Sequence, residues 1–156
     1  MKQVLVTFGK IKEPFIRDGV KEYLHRIRRY GEVELISLKE EKITGDQTES
    51  WIKDRQGKRL LRQVPRDGLW VALDRTGMGL DSRQFFAFIQ DRRERGVKKI
   101  YYLIGGPLGL SPEVLGQADL LLSLSPLTYT HELAILILTE QIYRFFTFIS
   151  GEKYHK

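Results

Sequence analysis

The chain has 156 residues and a formal charge of +6, and its 42% apolar and 29% charged shares are those of a folded, water-soluble protein. It contains no cysteine, which excludes disulfides, thiolate nucleophiles and cysteine-based metal sites. The apolar run Leu133 to Leu138 is far short of the ~18 residues a membrane span needs. Met1 to Gly9 are too weakly apolar for a secretory signal, so a cytoplasmic location is expected.

Short apolar runs alternate with helical patterns along the chain, with no linker or repeat between them. Val4 to Phe8 reads as a strand, and Ile16, Val20, Tyr23, Leu24 and Ile27 form the stripe of a helix over Pro14 to Tyr30. Val33 to Leu38 is a second strand, Thr48 to Gln63 a helix, and Leu69 to Asp74 a third strand. Asp81 or Ser82 caps a helix that runs to Arg95, where Gly96 stops it. Ile100 to Ile104 is the fourth strand; Ser111 caps and Pro112 opens a short helix. Leu120 to Leu124 is the fifth strand and Thr130 to Ile149 the last helix. The whole chain, 1–156, is expected to form one α/β domain, a mainly parallel sheet with helices on both faces.

In such sheets ligands bind where loops gather at the carboxyl ends of strands. Arg75 to Leu80, Gly105 to Leu110 and Ser125 to Tyr129 are the three loops so placed. The final helix, with Leu133, Ile135 to Leu138, Ile142, Tyr143, Phe145, Phe146, Phe148 and Ile149, leaves little of its circumference polar. A helix apolar all round must be covered all round, which predicts a homodimer built on it.

The net charge suits an anionic partner, and basic residues cluster at 25–29, 53–62 and 92–99, although acids interrupt the last two blocks. The glycine loop lacks the lysine of a P-loop. Gly77 to Ser82 imitates a dinucleotide fingerprint, but Ser82 replaces the third glycine and no acid ends the next strand to hold a ribose, so it reads as a turn. There is no G-x-S-x-G elbow, and His25, His131 and His155 lack metal spacing, so no metal is expected. Gly105 and Gly106 offer bare backbone beside the small hydroxyls of "LSPLTYT". That pairing suits an adenosine-like ligand gripped by main chain; two tight strand-to-helix turns are the structural alternative.

Taken together, "LIGGPLGLS" at 103–111, "LSLSPLTYTHEL" at 122–133, "EQIYR" at 140–144 and the closing "KYHK" resemble the SPOUT-superfamily enzymes that methylate N3 of pseudouridine 1915 in bacterial 23S ribosomal RNA. The resemblance covers the whole chain, including the "TFGK" start. It implies a sheet whose C-terminal part is threaded into a trefoil knot, a homodimer, S-adenosylmethionine as cofactor, no metal, and 23S rRNA, within the assembled ribosome, as partner. By motif matching the cofactor would meet Leu73, Gly105, Gly106, Leu124, Ser125, Pro126, Leu127, Thr128, Tyr129 and Thr130.

For the reaction, His155 has the ordinary titration range of a base that could take the N3 proton, with Tyr154 shaping the base pocket and Arg144 assisting. RNA contacts are expected from Arg26, Arg28, Arg29, Arg144 and His131. Two positions depart from the pattern of similar sequences: Ile135 stands where an arginine is usual, and Lys153 where a proline is. The first passes the RNA-facing cation to Arg144. A non-catalytic RNA-binding module, supported by charge alone, and a dinucleotide-dependent oxidoreductase, resting on residues 77–82, are the alternative functions.

Overall fold

A computed structural model describes residues 1–41, 47–152 and 154. Its elements are β1 (Lys2–Phe8), α1 (Pro14–Ile27), β2 (Val33–Leu38), α2 (Glu49–Gln63), β3 (Leu69–Gly79), α3 (Ser82–Glu94), β4 (Lys99–Leu103), α4 (Pro112–Gln117), β5 (Leu120–Ser123) and α5 (His131–Ile149). The five strands form one sheet in the order β2-β1-β4-β3-β5, and every pairing is parallel. Parallel strands need crossovers that cover both faces, and successive β1 side chains divide accordingly. Leu5 joins Ile16 and Val20 of α1, Phe85 and Phe86 of α3, and Ile135 and Ile142 of α5. Val4, Val6 and Phe8 point the other way, towards Leu60 of α2 and Val114 of α4.

Local signals set most boundaries. Thr48 caps α2 through the Trp51 amide, Asp81 and Gln84 form a reciprocal capping box on α3, and Ser111 and Thr130 cap α4 and α5. Of the two expected α3 caps, Asp81 is used. Gly96, at φ +82°, ends the turn after α3. Helix α1 stops at Ile27, short of Tyr30, because the Arg29 and Tyr30 amides bond back only three residues, to Arg26 and Ile27, as a tightened last turn does.

The stretch read as the loop Arg75 to Leu80 is not one. Strand β3 runs on to Gly79, and both Leu73 and Met78 lie opposite Leu122 of β5, so residues 74–77 form a bulge between two paired segments. A Cβ on Gly77 would come within 2.6 Å of the Leu121 backbone. Close approach of β5 therefore accounts for this glycine, and the dinucleotide-like turn at 77–82 is overturned.

Helix α5 lies along α1 and finds much of its cover within its own chain. Ile135, Leu138, Ile142, Tyr143, Phe145 and Phe146 are buried; Leu133, Leu136 and Ile137 are half-buried, and Phe148 and Ile149 are exposed. The apolar surface left for a second subunit is thus smaller than an all-round apolar helix implies, because α1 and α3 take two of its sides. Ile135, where similar sequences carry arginine, is 1% exposed and belongs to this core.

Candidate functional site

The carboxyl ends of β3, β4 and β5 open into a cleft of about 800 Å³, within the size range of small-molecule sites. Its wall is more apolar than polar and includes the glycine-rich loop after β4. After β4 the Ile104 amide still donates to the Val6 carbonyl at 2.8 Å, and then the chain leaves the sheet. The loop folds on itself: the Gly109 amide reaches the Gly106 carbonyl at 2.9 Å, with Gly109 at φ +81°. A Cβ on Gly105 would lie 2.4 Å from the Gly109 carbonyl carbon, so this turn cannot close around a side chain. Gly106 differs. A Cβ there would meet nothing nearer than 3.6 Å, at the Gln56 side chain, so folding alone makes no demand for glycine at 106.

The loop after β5 forms the opposite wall. The Ser123 hydroxyl donates to the Ser125 carbonyl at 3.1 Å, and the Ser125 hydroxyl accepts from the Leu127 amide at 2.9 Å. The loop then enters α5 through the Thr130 cap, 3.3 Å from the Leu133 amide.

Nine of the ten residues matched to cofactor binding lie on this wall: Leu73, Gly105 and Gly106 on one side, Leu124, Ser125 and Leu127 to Thr130 on the other. Pro126 is exposed and does not line the cleft, because the turn at Ser125 carries it outward. His131, expected at the RNA, lies on the wall as well.

Sequence reasoning assigned no role to Glu13, Asp74 or Glu132, which also line the cleft, as do Arg75, from the stretch read as a ligand loop, and Lys53, from the basic block 53–62. Glu132 is 6% exposed, and its two carboxylate oxygens accept from the Lys12 and Glu13 amides at 3.0 and 3.1 Å. It thereby fastens the β1–α1 loop to the start of α5. Burial disfavours its ionisation, but those amides, with His131 and Lys12 nearby, outweigh burial and hold its carboxyl below the ordinary range. An acid in the first turn of a helix was the available signal, since helix N-termini favour negative charge.

Two of the three residues expected to act on the base, Arg144 and Tyr154, are elsewhere. Arg144 stands thirteen residues beyond His131 on α5, roughly 20 Å along the axis, and is not on the cleft wall. Its guanidinium donates twice to the Glu140 carboxylate, at 3.0 and 2.7 Å, and lies 5.3 Å from the Tyr154 ring centre. Tyr154 packs edge-on to Tyr143 at 4.7 Å and its hydroxyl lies 3.4 Å from Glu140. Burial, the Tyr23 hydroxyl and Glu140 push its phenol up, so it stays protonated at neutral pH. His155 lies outside the described residues.

Arg26, Arg28 and Arg29 lie exposed at the end of α1, where Arg26, Arg29, His25 and Tyr143 border a separate hollow of about 450 Å³. Arg26 is paired with Glu22 at 2.7 Å, whereas Arg28 and Arg29 make no ion pair among the described residues. No cluster of metal-binding side chains occurs among the described residues, and no described helix is long and apolar enough to cross a membrane.

An all-parallel sheet with helices on both faces and a cleft at the carboxyl ends of its strands places the chain among α/β proteins whose loops gather a site at the strand ends. Over residues 1–155 the chain matches the family model described as predicted SPOUT methyltransferase. It is 44% identical over 156 residues, the full length of both chains, to the ribosomal RNA large subunit methyltransferase H of Desulfotalea psychrophila. Identity to the protein of the same name from Halothermothrix orenii is 42% over 160 residues, again covering both chains completely. The putative ribosomal RNA large subunit methyltransferase H of Methanocorpusculum labreanum is 41% identical, also at full coverage of both. The chain belongs to the SPOUT methyltransferase family.

Proposed function

We propose that this chain is a ribosomal RNA methyltransferase that uses S-adenosylmethionine to methylate N3 of a pseudouridine, position 1915, in bacterial 23S rRNA. The observation that carries the reading is the cleft: nine of the ten residues singled out for the cofactor line one cleft at three strand ends. Its size suits a nucleoside-containing ligand, and Gly106 lacks a side chain that the fold itself would admit.

When bound, S-adenosylmethionine supplies a methyl group on a sulfonium, a strong electrophile. The chain's part is alignment. The Gly105–Gly106 turn and the Leu124–Thr130 loop would hold the cofactor's adenosine, and Glu132 keeps the β1–α1 loop against them. The N3 proton must leave as the nitrogen attacks, and His155 is the proposed acceptor. Arg144 lies ten residues, roughly 15 Å along α5, beyond Ala134, the last α5 residue on the cleft wall, and Tyr154 packs beside it. In the proposed homodimer they, with the tail, serve the cleft of the other subunit. Threading of the C-terminal part into a trefoil knot, a cytoplasmic location and action on the assembled ribosome complete the reading. The strand order supports threading, since β5 lies outside β3 while α5 returns to α1.

Mass spectrometry of ribosomal RNA from cells with and without this gene tests the proposal. The expected result is loss of one methyl from one pseudouridine, restored by the purified protein with S-adenosylmethionine and ribosomes. Unchanged methylation in the deleted strain would refute it.

A further inference from the structure

The acids and bases on the cleft wall are not in the same state. Asp74 accepts from the Thr76 amide at 2.8 Å and from its hydroxyl at 2.6 Å, and Glu132 is committed to the Lys12 and Glu13 amides. The side chains of Lys53 and Arg75 have neither hydrogen bond nor ion pair to any described residue. Among the described residues some cations elsewhere are tied down, as in Lys2–Glu34 and Lys99–Asp67 at 2.6 Å and Arg144–Glu140 at 2.7 Å, while others, Arg28 and Arg29 among them, are not. Lys53 and Arg75 are unpaired cations that stand on the cleft wall. The hydrogen bonds to Asp74 and Glu132 fix their carboxylates in place without cancelling their charge, and exposed Glu13 is the third acid on the wall. What sets Lys53 and Arg75 apart is the freedom of their side chains to reach outward, not a positive excess.

Their placement is set by the fold. Lys53 lies one turn before Gln56 on α2, and the Gln56 side chain sits against Gly106, 3.6 Å from where a Cβ would be. Gly57 brings the same helix against Ser111 so closely that a Cβ would overlap its hydroxyl. Helix α2 is thus pressed onto the glycine loop, and Lys53, half-buried, extends to the cleft from it. Arg75, exposed, comes from the β3 bulge, which exists because residues 74–77 are looped out between two pairings with Leu122.

We propose that Lys53 and Arg75 are RNA-positioning residues that hold backbone phosphates of the target strand at the mouth of the cleft. The inference rests on the methyltransferase reading above. An enzyme that modifies a base must draw it out of its stack, and the base then enters the pocket while its flanking phosphates stay at the rim. Phosphates fix register without reading sequence, and unpaired flexible cations suit that work. The cofactor has one carboxylate, so a cation pair at the rim exceeds its need. Both side chains are free of internal bonds, so removing them leaves the fold intact.

The test uses full-length Lys53→Ala, Arg75→Ala and double variants beside wild type. Calorimetry measures S-adenosylmethionine affinity, and binding to purified bacterial ribosomes is followed across a salt series. The double variant is expected to keep cofactor affinity within about twofold and its melting temperature, while its KM for ribosomes rises tenfold or more with kcat little changed. The slope of log affinity against log salt should fall by about 0.7 to 0.9 per residue removed. The charge-preserving pair Lys53→Arg and Arg75→Lys should restore most of the binding. If cofactor affinity falls tenfold while ribosome binding holds, these cations grip the cofactor's carboxylate and the inference is overturned. Ribosome binding with wild-type strength and slope overturns it too. Wild-type protein that binds neither ligand would instead remove the methyltransferase reading beneath it.

Discussion

Replacing Glu132 by Gln tests how the cleft is held together. The carboxylate accepts two backbone hydrogen bonds, at 3.0 and 3.1 Å, from a loop 119 and 120 residues away in sequence. Gln keeps the shape but offers one oxygen, and it turns an NH2 group towards the second amide. One charge-assisted bond, worth about 1.5–3 kcal/mol, is lost and the other loses its charge. Water reaches these partly buried amides, so the lower end applies and the cost is about 2 kcal/mol. For a chain of this size that is a fall in melting temperature of roughly 4–8 °C. The pH dependence follows from the lowered carboxyl of Glu132. A group whose pKa is lower folded than unfolded contributes stability above its unfolded value, near 4.3, and loses it as pH falls through the folded value. Thermal melts followed by circular dichroism should therefore show the full difference between wild type and variant at pH 7. The difference should shrink steadily below about pH 4. Equal melting at pH 7, or a gap unchanged down to pH 3, would refute the reasoning.

Gly106→Ala should fold with a melting temperature near wild type, since its Cβ meets nothing nearer than 3.6 Å, yet lose about tenfold in S-adenosylmethionine affinity by calorimetry. Gly105→Ala should lose both stability and affinity, because its Cβ would stand 2.4 Å from the Gly109 backbone. Gly77→Ala should cost about 2 kcal/mol in urea unfolding, the scale of overpacking, because its Cβ would press to 2.6 Å on the β5 backbone. Hydrogen exchange should show the loss first in residues 120–123, the edge strand that Gly77 abuts.

Sequence by itself determined the alternation of strands and helices, helix starts at Thr48 and Thr130, a cap at Ser111 and one at Asp81 or Ser82, and the two loops that meet in the cleft. These are properties of short segments: a period of two or of 3.6, a hydroxyl before a helix, a glycine where a turn must close. The tertiary structure alone decided the rest. Met78 and Gly79 became strand because β5 lies alongside to pair with them, with residues 74–77 bulged out before them. Helix α5 found most of its cover at home because α1 and α3 flank it. Glu132 and Lys53 entered the cleft wall through contacts to β1–α1 and to the glycine loop that no local pattern records. Arg144 and Tyr154 were drawn away from that cleft by the length of one helix. A local pattern reports what a segment prefers; which distant segment satisfies it depends on how the sheet orders its strands.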